Sequence, residues 1–425
     1  MTSMPTARRL HRRWTILALA ALSLGTGACD KLLEVENPGR VPEDALSDPA
    51  LAPALAAAAL QTMQCAFVNF AVTGAMLSGE LWSANGFVDN HPWEWRGVVE
   101  IRGNPGSCNY GRGSTFMGFY TPLQQARFQL DDAFTRIEAF TDAQVANRAR
   151  TLTEMRAYAG YAYLLLAEGM CQMALDRGPA MTKEQVLKIA EQRFTDAIDR
   201  ATAINDASLK NMALVGRART RLNLKDLANA AADAIQVTQG FVRNAEFSET
   251  TPSRENRFYN LTFRNEYLSV APAYQTMTVN GVADPRVKVR DLGHNANDNV
   301  TRMWQQQKYV GSGAAPLPIA SWAEAQLIYA EAVGGQAGLD ALNRVRTANG
   351  VPTITGAPPT GAEWTALVLE ERRRQLFLEG QRYGDMLRYN LPFQTGVNRK
   401  GQTYSSLTCV PLPDVETRNN PNFTS

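Results

Sequence analysis

Two carboxylates, Glu324 and Glu331, stand seven residues apart in "WAEAQLIYAEA", and a pair of acids is what glycosidic hydrolysis requires. At about 1.5 Å of rise per residue they lie roughly 10 Å apart along one helix. That exceeds the spacing of a retaining pair and sits at the outer edge of an inverting one, and both acids project from one helix face without flanking a cleft. Salt-bridge acceptance, with Arg344 and Arg346 as donors, fits them better. Other catalytic side chains are sparse. The three histidines are His11, His91 and His294, and no HExxH, no Cys/His zinc spacing and no glycine-rich phosphate loop accompanies them. "GHNANDNV" lacks the acid–glycine order of a calcium loop. The chain therefore reads as a non-enzyme with no metal and no cofactor.

Residues 369 to 390, "LEERRRQLFLEGQRYGDMLRYN", carry nine charges in twenty-two positions. On a helical wheel begun at Trp364, residues Leu367, Val368 and Leu378 fall together, with Glu371 and Gln375 in the middle of the apolar stripe. A carboxylate facing a core needs a cation close by. With Gly380 closing the helix as a C′ residue, the next element brings Arg382 and Arg388. Glu371, Glu379 and Asp385 are therefore expected to pair with Arg382 and Arg388 across this corner. The charge density reads as fold wiring.

The elements that must hold these residues are mostly helical. The 425 residues are 45% hydrophobic and 20% charged, an ordinary globular balance. Arg8, Arg9, Arg12 and Arg13 precede the apolar run "WTILALAALSLG", a secretory pattern too short to span a bilayer. Small residues before Cys29 resemble a lipobox, in which that thiol is acylated; an ordinary cleaved signal is the alternative, and Thr26 departs from the usual Leu. Without residues 1–28, 39 basic residues face 41 acidic ones, so no basic field remains and nucleic acid is excluded as a partner. Four cysteines then remain outside the cytosol, Cys65, Cys108, Cys171 and Cys409. They allow three pairings, of which Cys65–Cys108 with Cys171–Cys409 is preferred; buried free thiols are the alternative.

A tether over 29–48 leads to a helix starting at Pro49, with Asp48 as N-cap and a break near Gly74. Helical patterning resumes near 116 and runs in blocks to 240, strongest where Leu152, Met155, Ala159, Tyr163 and Leu166 recur at helical spacing. "ALVGRARTRLNLKDLANAAADA" resembles a tetratricopeptide unit turning at Asp226. Residues 241–318 lose the period and read as an irregular insertion with a few short strands. Helix returns from 319, and the last 35 residues are loop-like.

The order "WAEAQLIYAEAV", "GLDALNRVRTANGVP", "LEERRRQLFLEGQRYGDMLRYN", followed by "CVPLPDVETRNNPN", resembles the C-terminal signature of the SusD/RagB family, and "GACDKLLEVENPG" resembles its acylated front. The resemblance covers both ends of the chain and is weakest over 241–318. It implies a mainly α fold: a scaffold of tetratricopeptide-like helix pairs over 49–240, with the insertion 241–318 and a C-terminal RagB/SusD domain over 319–425. It also implies a nutrient-binding lipoprotein of the outer membrane, facing the cell exterior. Such a protein would capture oligosaccharides or other nutrients for a SusC-type TonB-dependent transporter, without catalysis. Two other readings stay open: an envelope lipoprotein for protein–protein assembly, and a helical glycan-degrading enzyme.

If the ligand is a glycan, aromatic rings should stack on apolar sugar faces while amides and charged groups bond the hydroxyls. "ELWSANGFVDNHPWEWRG" supplies Trp82, Trp93 and Trp95 beside Asp89, Asn90 and Arg96. In an extended loop Trp93 and Trp95 would project to one side. Trp304 with Tyr309 is a second candidate and Tyr110 a third. Trp322 and Trp364, on helices, are expected in the core.

Overall fold

The computed structural model describes residues 43–87, 91–111 and 116–422. The signal, Cys29 and most of the tether lie outside them. One 3-10 turn, Pro49–Leu51, leads into α1 (Ala52–Leu77), so Leu51 and not Asp48 occupies the N-cap position. Gly74 does not break this helix. A Cβ there would lie 3.6 Å from the Cβ of Tyr383, so the glycine admits close packing. The short α2 (His91–Trp95) follows, then α3 (Tyr120–Glu138), α4 (Arg148–Gly169), α5 (Lys183–Ala203), α6 (Ala207–Asn223) and α7 (Leu227–Ala234).

The turns between α5, α6 and α7 repeat one device. Asn205 and Lys225 are left-handed, with φ of 56° and 63°. The N–H of Asp206 then bonds Ala201 O and that of Asp226 bonds Arg221 O, both at 2.9 Å, which closes each helix in a Schellman motif. The same two aspartates cap the following helices, accepting from Leu209 N and Asn229 N. One residue thus ends a helix and starts the next, which makes antiparallel pairs. Phe194 of α5 wedges between neighbours: a Cβ at Gly160 or Gly216 would meet its ring at 2.6 or 2.3 Å.

The remaining chain contributes short antiparallel strands: β1 (Leu81–Ser83), β2 (Val242–Ala245), β3 (Leu268–Val270), β4 (Val289–Asn295), β5 (Arg302–Gln306) and β6 (Leu317–Ser321). They pair as β1–β3, β2–β6 and β4–β5. Helices α8 (Trp322–Val333), α9 (Gly335–Ala348), α10 (Gly361–Gln375) and α11 (Arg382–Arg388) complete the fold. Trp364, Leu327, Leu339, Leu342 and Val368 form a second buried cluster, and Trp322 joins the main core. The fold is mainly α. Cys65 is bonded to Cys108, and Cys171 to Cys409 across 238 positions.

The expected pairing at the charged corner is corrected in its partners. α10 ends at Gln375, so Leu378 leaves the wheel, while Gly380 instead lets the chain pass Ala71, whose Cα would lie 3.1 Å from an added Cβ. Glu371 is 4% exposed and pairs with Arg286, at 2.6 Å, and with Arg346. Glu379 pairs with Lys308 at 2.6 Å. Asp385 takes Arg372 at 2.8 Å and Arg388 at 2.9 Å; burial opposes its ionisation, yet these cations hold its carboxyl below the usual range. Among the described residues Arg382 ion-pairs with none of the three acids. Two of the cations, Arg286 and Lys308, come from the irregular segment 241–318, which a wheel drawn on one helix cannot reveal.

Glu324 and Glu331 also find other partners than Arg344 and Arg346. Glu324 is buried 3.6 Å from Arg219, with its carboxyl pushed up to about 7 by burial. Glu331 accepts from Arg388 at 3.0 Å and from the Tyr389 hydroxyl at 2.6 Å. Arg344 donates instead to Gln326.

Candidate functional site

β1 fixes the tryptophan-rich segment by alternation. Leu81 and Ser83 are buried, while Trp82 turns to the other face, half-buried, opposite Ser269 of β3. The Arg399 guanidinium lies 4.4 Å from its ring centroid. Arg399 also holds the buried Glu94 at 2.6 Å, and Glu94 accepts from Ser83 N at 2.7 Å.

Residues 91–95 are helical, which overturns the extended-loop reading. Two residues apart on a helix differ by about 200°, so Trp93 and Trp95 share no face. Trp93 is 2% exposed and packs 6.2 Å from Phe119; it is a core residue and no platform. Trp95 is half-buried, its ring over Gly97, where a Cβ would approach it to 2.4 Å. Arg96 is buried as well. Its guanidinium lies between Phe393 and Tyr404, 5.2 and 5.4 Å from their centroids, and donates to Gln394 O and Ser405 O. It fastens the C-terminal loop and is not free for a ligand. Asp89 and Asn90 lie outside the described residues.

The second candidate pair separates. Trp304 is half-buried on β5, its backbone N–H on the Ser269 hydroxyl at 2.9 Å. Tyr309 is fully enclosed, stacked on Phe258, and donates to Leu378 O, so it offers nothing to a ligand. Tyr110 is half-buried under Arg257, whose guanidinium is 4.3 Å from the ring centroid.

A second group of rings lies elsewhere, with Phe87 exposed and Tyr259, Phe263 and Tyr267 half-buried. Phe87 is 50% exposed and meets Tyr267 edge-on at 5.3 Å. Just upstream of Tyr267, Tyr259 and Phe263 stack at 5.5 Å along the π-helical turn Asn260–Arg264. Asn85 links the first pair, donating to Tyr267 O and accepting from Phe87 N. Lys400 bonds Asn85 O at 2.7 Å and Asp298 at 2.8 Å. Burial alone would raise the Asp298 carboxyl; Lys400, Thr301 and two backbone N–H groups outweigh it and hold it at about 2. Burial and the Lys400 charge push His91 down, keeping it neutral at neutral pH. Exposed His294 pairs with Glu266 at 2.8 Å, and Asn297 donates to Asn265 O. These aromatics were missed from sequence, although Tyr259, Phe263 and Tyr267 recur every fourth residue.

The SusD family model matches residues 205–424. The chain belongs to the SusD family. Its fold is similar to solved structures of that family at low identity. A SusD-like carbohydrate binding protein from Bacteroides vulgatus is 14% identical, covering 88% of this chain and 97% of its own, with a TM-score of 0.65. Surface glycan-binding protein A from Bacteroides uniformis is 14% identical over 88% and 98%, at 0.64. A SusD superfamily protein from Bacteroides fragilis is 14% identical over 88% and 99%, at 0.62. No curated protein matches the chain.

Within this SusD-family chain, Phe87 and Tyr267 form a half-exposed aromatic ledge bordered by amides, an imidazole and paired charges. The rings present apolar faces and the border supplies both donors and acceptors. Such a surface suits a ligand with one apolar side and a rim of hydroxyls. Among the described residues no group of His, Cys, Asp and Glu is arranged to hold a metal ion.

Proposed function

We propose that this protein is a lipid-anchored glycan-binding protein of the outer membrane. It captures oligosaccharides on the Phe87–Tyr267 ledge and passes them to a SusC-type TonB-dependent transporter. The observation that carries this reading is the exposure of the Phe87 ring beside Tyr267, with Asn85 and Lys400 beneath. The names of the solved relatives, carbohydrate binding and glycan-binding, point the same way. Acylation of Cys29 would supply the anchor, with 29–48 as tether. The helical scaffold 49–240, the segment 241–318 and the part 319–425 then act together, the middle segment supplying Tyr259, Phe263 and Tyr267. Trp82 and Trp304, each half-buried, remain as secondary contacts.

Binding without catalysis is the reading that suits the acids. Glu324 is buried beside Arg219, and Glu331 is occupied by Arg388 and Tyr389. Affinity gels cast with soluble polysaccharides test the proposal. Retardation by at least one glycan, lost in Phe87→Ala with Tyr267→Ala, is the expected result. Retention unchanged in that double variant would overturn the ledge. Absence of retention on every glycan, with copurification of envelope proteins, would favour an assembly role.

A further inference from the structure

Phe87 and Tyr267 come from different segments, and Asn85 is the link between them. Its amide donates to Tyr267 O at 2.9 Å while its Oδ1 accepts from Phe87 N at 2.7 Å. The backbone of Asn85 is fixed in turn from the C-terminal loop. Residues 398–402 form a tight turn there: Asn398 N–H donates to Gln402 O at 2.8 Å, and Asn398 Oδ1 accepts from Lys400 N and Gln402 N. The turn directs two adjacent cations inward. Arg399 reaches Glu94, Ser83 O and the Thr301 hydroxyl. Lys400 Nζ donates to Asn85 O at 2.7 Å and to Asp298 at 2.8 Å, and meets His91 Nε2 at 3.2 Å. Asp298 shapes the turn between β4 and β5, accepting from Val300 N, Thr301 N and the Thr301 hydroxyl. One ammonium thus joins three segments around the ledge. Its side chain is only 9% exposed, and its three hydrogens are spent on protein atoms.

The loop has other attachments of its own. Arg96 clamps Gln394 O and Ser405 O, the Cys171–Cys409 bond ties its far end, and Cys171 N donates to Val410 O at 2.8 Å. Desolvating an ammonium is costly, and a loop already held on both sides gains little from a third anchor. The bonds of Lys400 act on the other partner, on Asn85 and through it on the placing of two rings. Binding surfaces work when their first contacts are held by such supporting bonds.

We propose that Lys400 is the positioning residue of the ligand site, fixing Asn85 so that Phe87 and Tyr267 stand ready to stack on a sugar. The inference rests on the glycan-binding reading of the ledge, and Lys400 itself touches no ligand. Two readouts test it, both taken well below the melting midpoint. One is retardation in native gels cast with soluble starch, xylan or laminarin. The other is the nuclear Overhauser contact between the Phe87 and Tyr267 rings in protein carrying ¹³C-labelled phenylalanine and tyrosine, assigned by its loss in Phe87→Ala. Lys400→Met should lose the ring contact and weaken retardation roughly tenfold. Lys400→Arg, which can donate to both Asn85 O and Asp298, should restore most of both. If Lys400→Met fails to fold, Asn398→Ala loosens the turn without removing a charge and should weaken both readouts in the same direction. A lower melting midpoint with ring contact and retardation at wild-type level would make Lys400 merely structural and overturn the proposal, while loss of retardation in Phe87→Ala would leave the ledge standing. Absence of retardation in the wild type, or retardation of Phe87→Ala equal to it, would remove the ledge reading and this role with it.

Discussion

The guanidinium of Arg96 donates at 2.6 Å to the backbone carbonyl of Gln394, 298 positions away in sequence. A second bond to Ser405 O and two flanking rings complete the clamp. The tryptophan-rich segment is therefore the seat on which the C-terminal loop rests. Arg96→Lys keeps the charge but loses the planar fork and its stacking. The expected outcome is a loss of roughly 2 kcal/mol or more in urea unfolding. Arg96→Ala should lose more. A change in glycan affinity without a change in stability would show that Arg96 serves the ligand instead.

Trp93 gives the complementary prediction. It is enclosed against Phe119, so Trp93→Ala opens a cavity and should destabilise by about 3–5 kcal/mol. The fraction that stays folded should still be retarded by glycan. Phe87→Ala should do the reverse, leaving the melting temperature nearly unchanged while abolishing retardation. Unfolding curves and affinity gels on the same two variants separate the roles.

Glu371 joins three elements, bonding Arg286 from the segment before β4 and Arg346 from α9. Removing its charge leaves Arg346 without a carboxylate, while Arg286 keeps Asp284 at 2.8 Å, so Glu371→Gln should cost about 3 kcal/mol. Arg346→Met alone leaves Glu371 the Arg286 bond and should cost less. A double-mutant cycle in urea would measure the coupling. Strict additivity would mean that Glu371 and Arg346 do not interact in solution.

What could be read from the chain alone follows from how local each interaction is. The helix pairs were legible because Asp226 acts within five residues of itself, bonding Arg221 O behind and Asn229 N ahead. The mainly α fold and the terminal signature were legible for the same reason. Glu371 could be recognised as needing a cation, but Arg286 lies 85 positions away, beyond any wheel. The tryptophans misled because five helical residues, His91–Trp95, interrupt what reads as a loop, and so turn Trp93 inward. The ledge stayed hidden because Phe87 and Tyr267 come from segments 180 positions apart that meet only when β1 pairs with β3. The four-residue spacing of Tyr259, Phe263 and Tyr267 was visible, but it sits in a stretch whose π-helical turn spans only Asn260–Arg264.

Glu80, with Glu324, ties the stability of the core to pH. It is fully buried, accepting from Leu378 N at 2.9 Å and from the Ser78 hydroxyl. Burial raises its carboxyl from 4.5 to about 7, outweighing the Leu378 N–H and the Arg382 charge. Below about pH 4.5 the group is protonated in both folded and unfolded chains and contributes nothing to the difference. Between 4.5 and 7 the unfolded chain releases its proton while the folded one keeps it, so stability falls as pH rises. Above 7 the full penalty is present. Glu80→Gln retains an acceptor for Leu378 N and removes the ionisation. It should therefore be more stable than wild type at pH 8, by on the order of 2 kcal/mol, with the difference shrinking towards zero near pH 4.5. Urea unfolding of both proteins across pH 4.5–8 checks this. A difference that does not change with pH would mean that Glu80 does not titrate in this range.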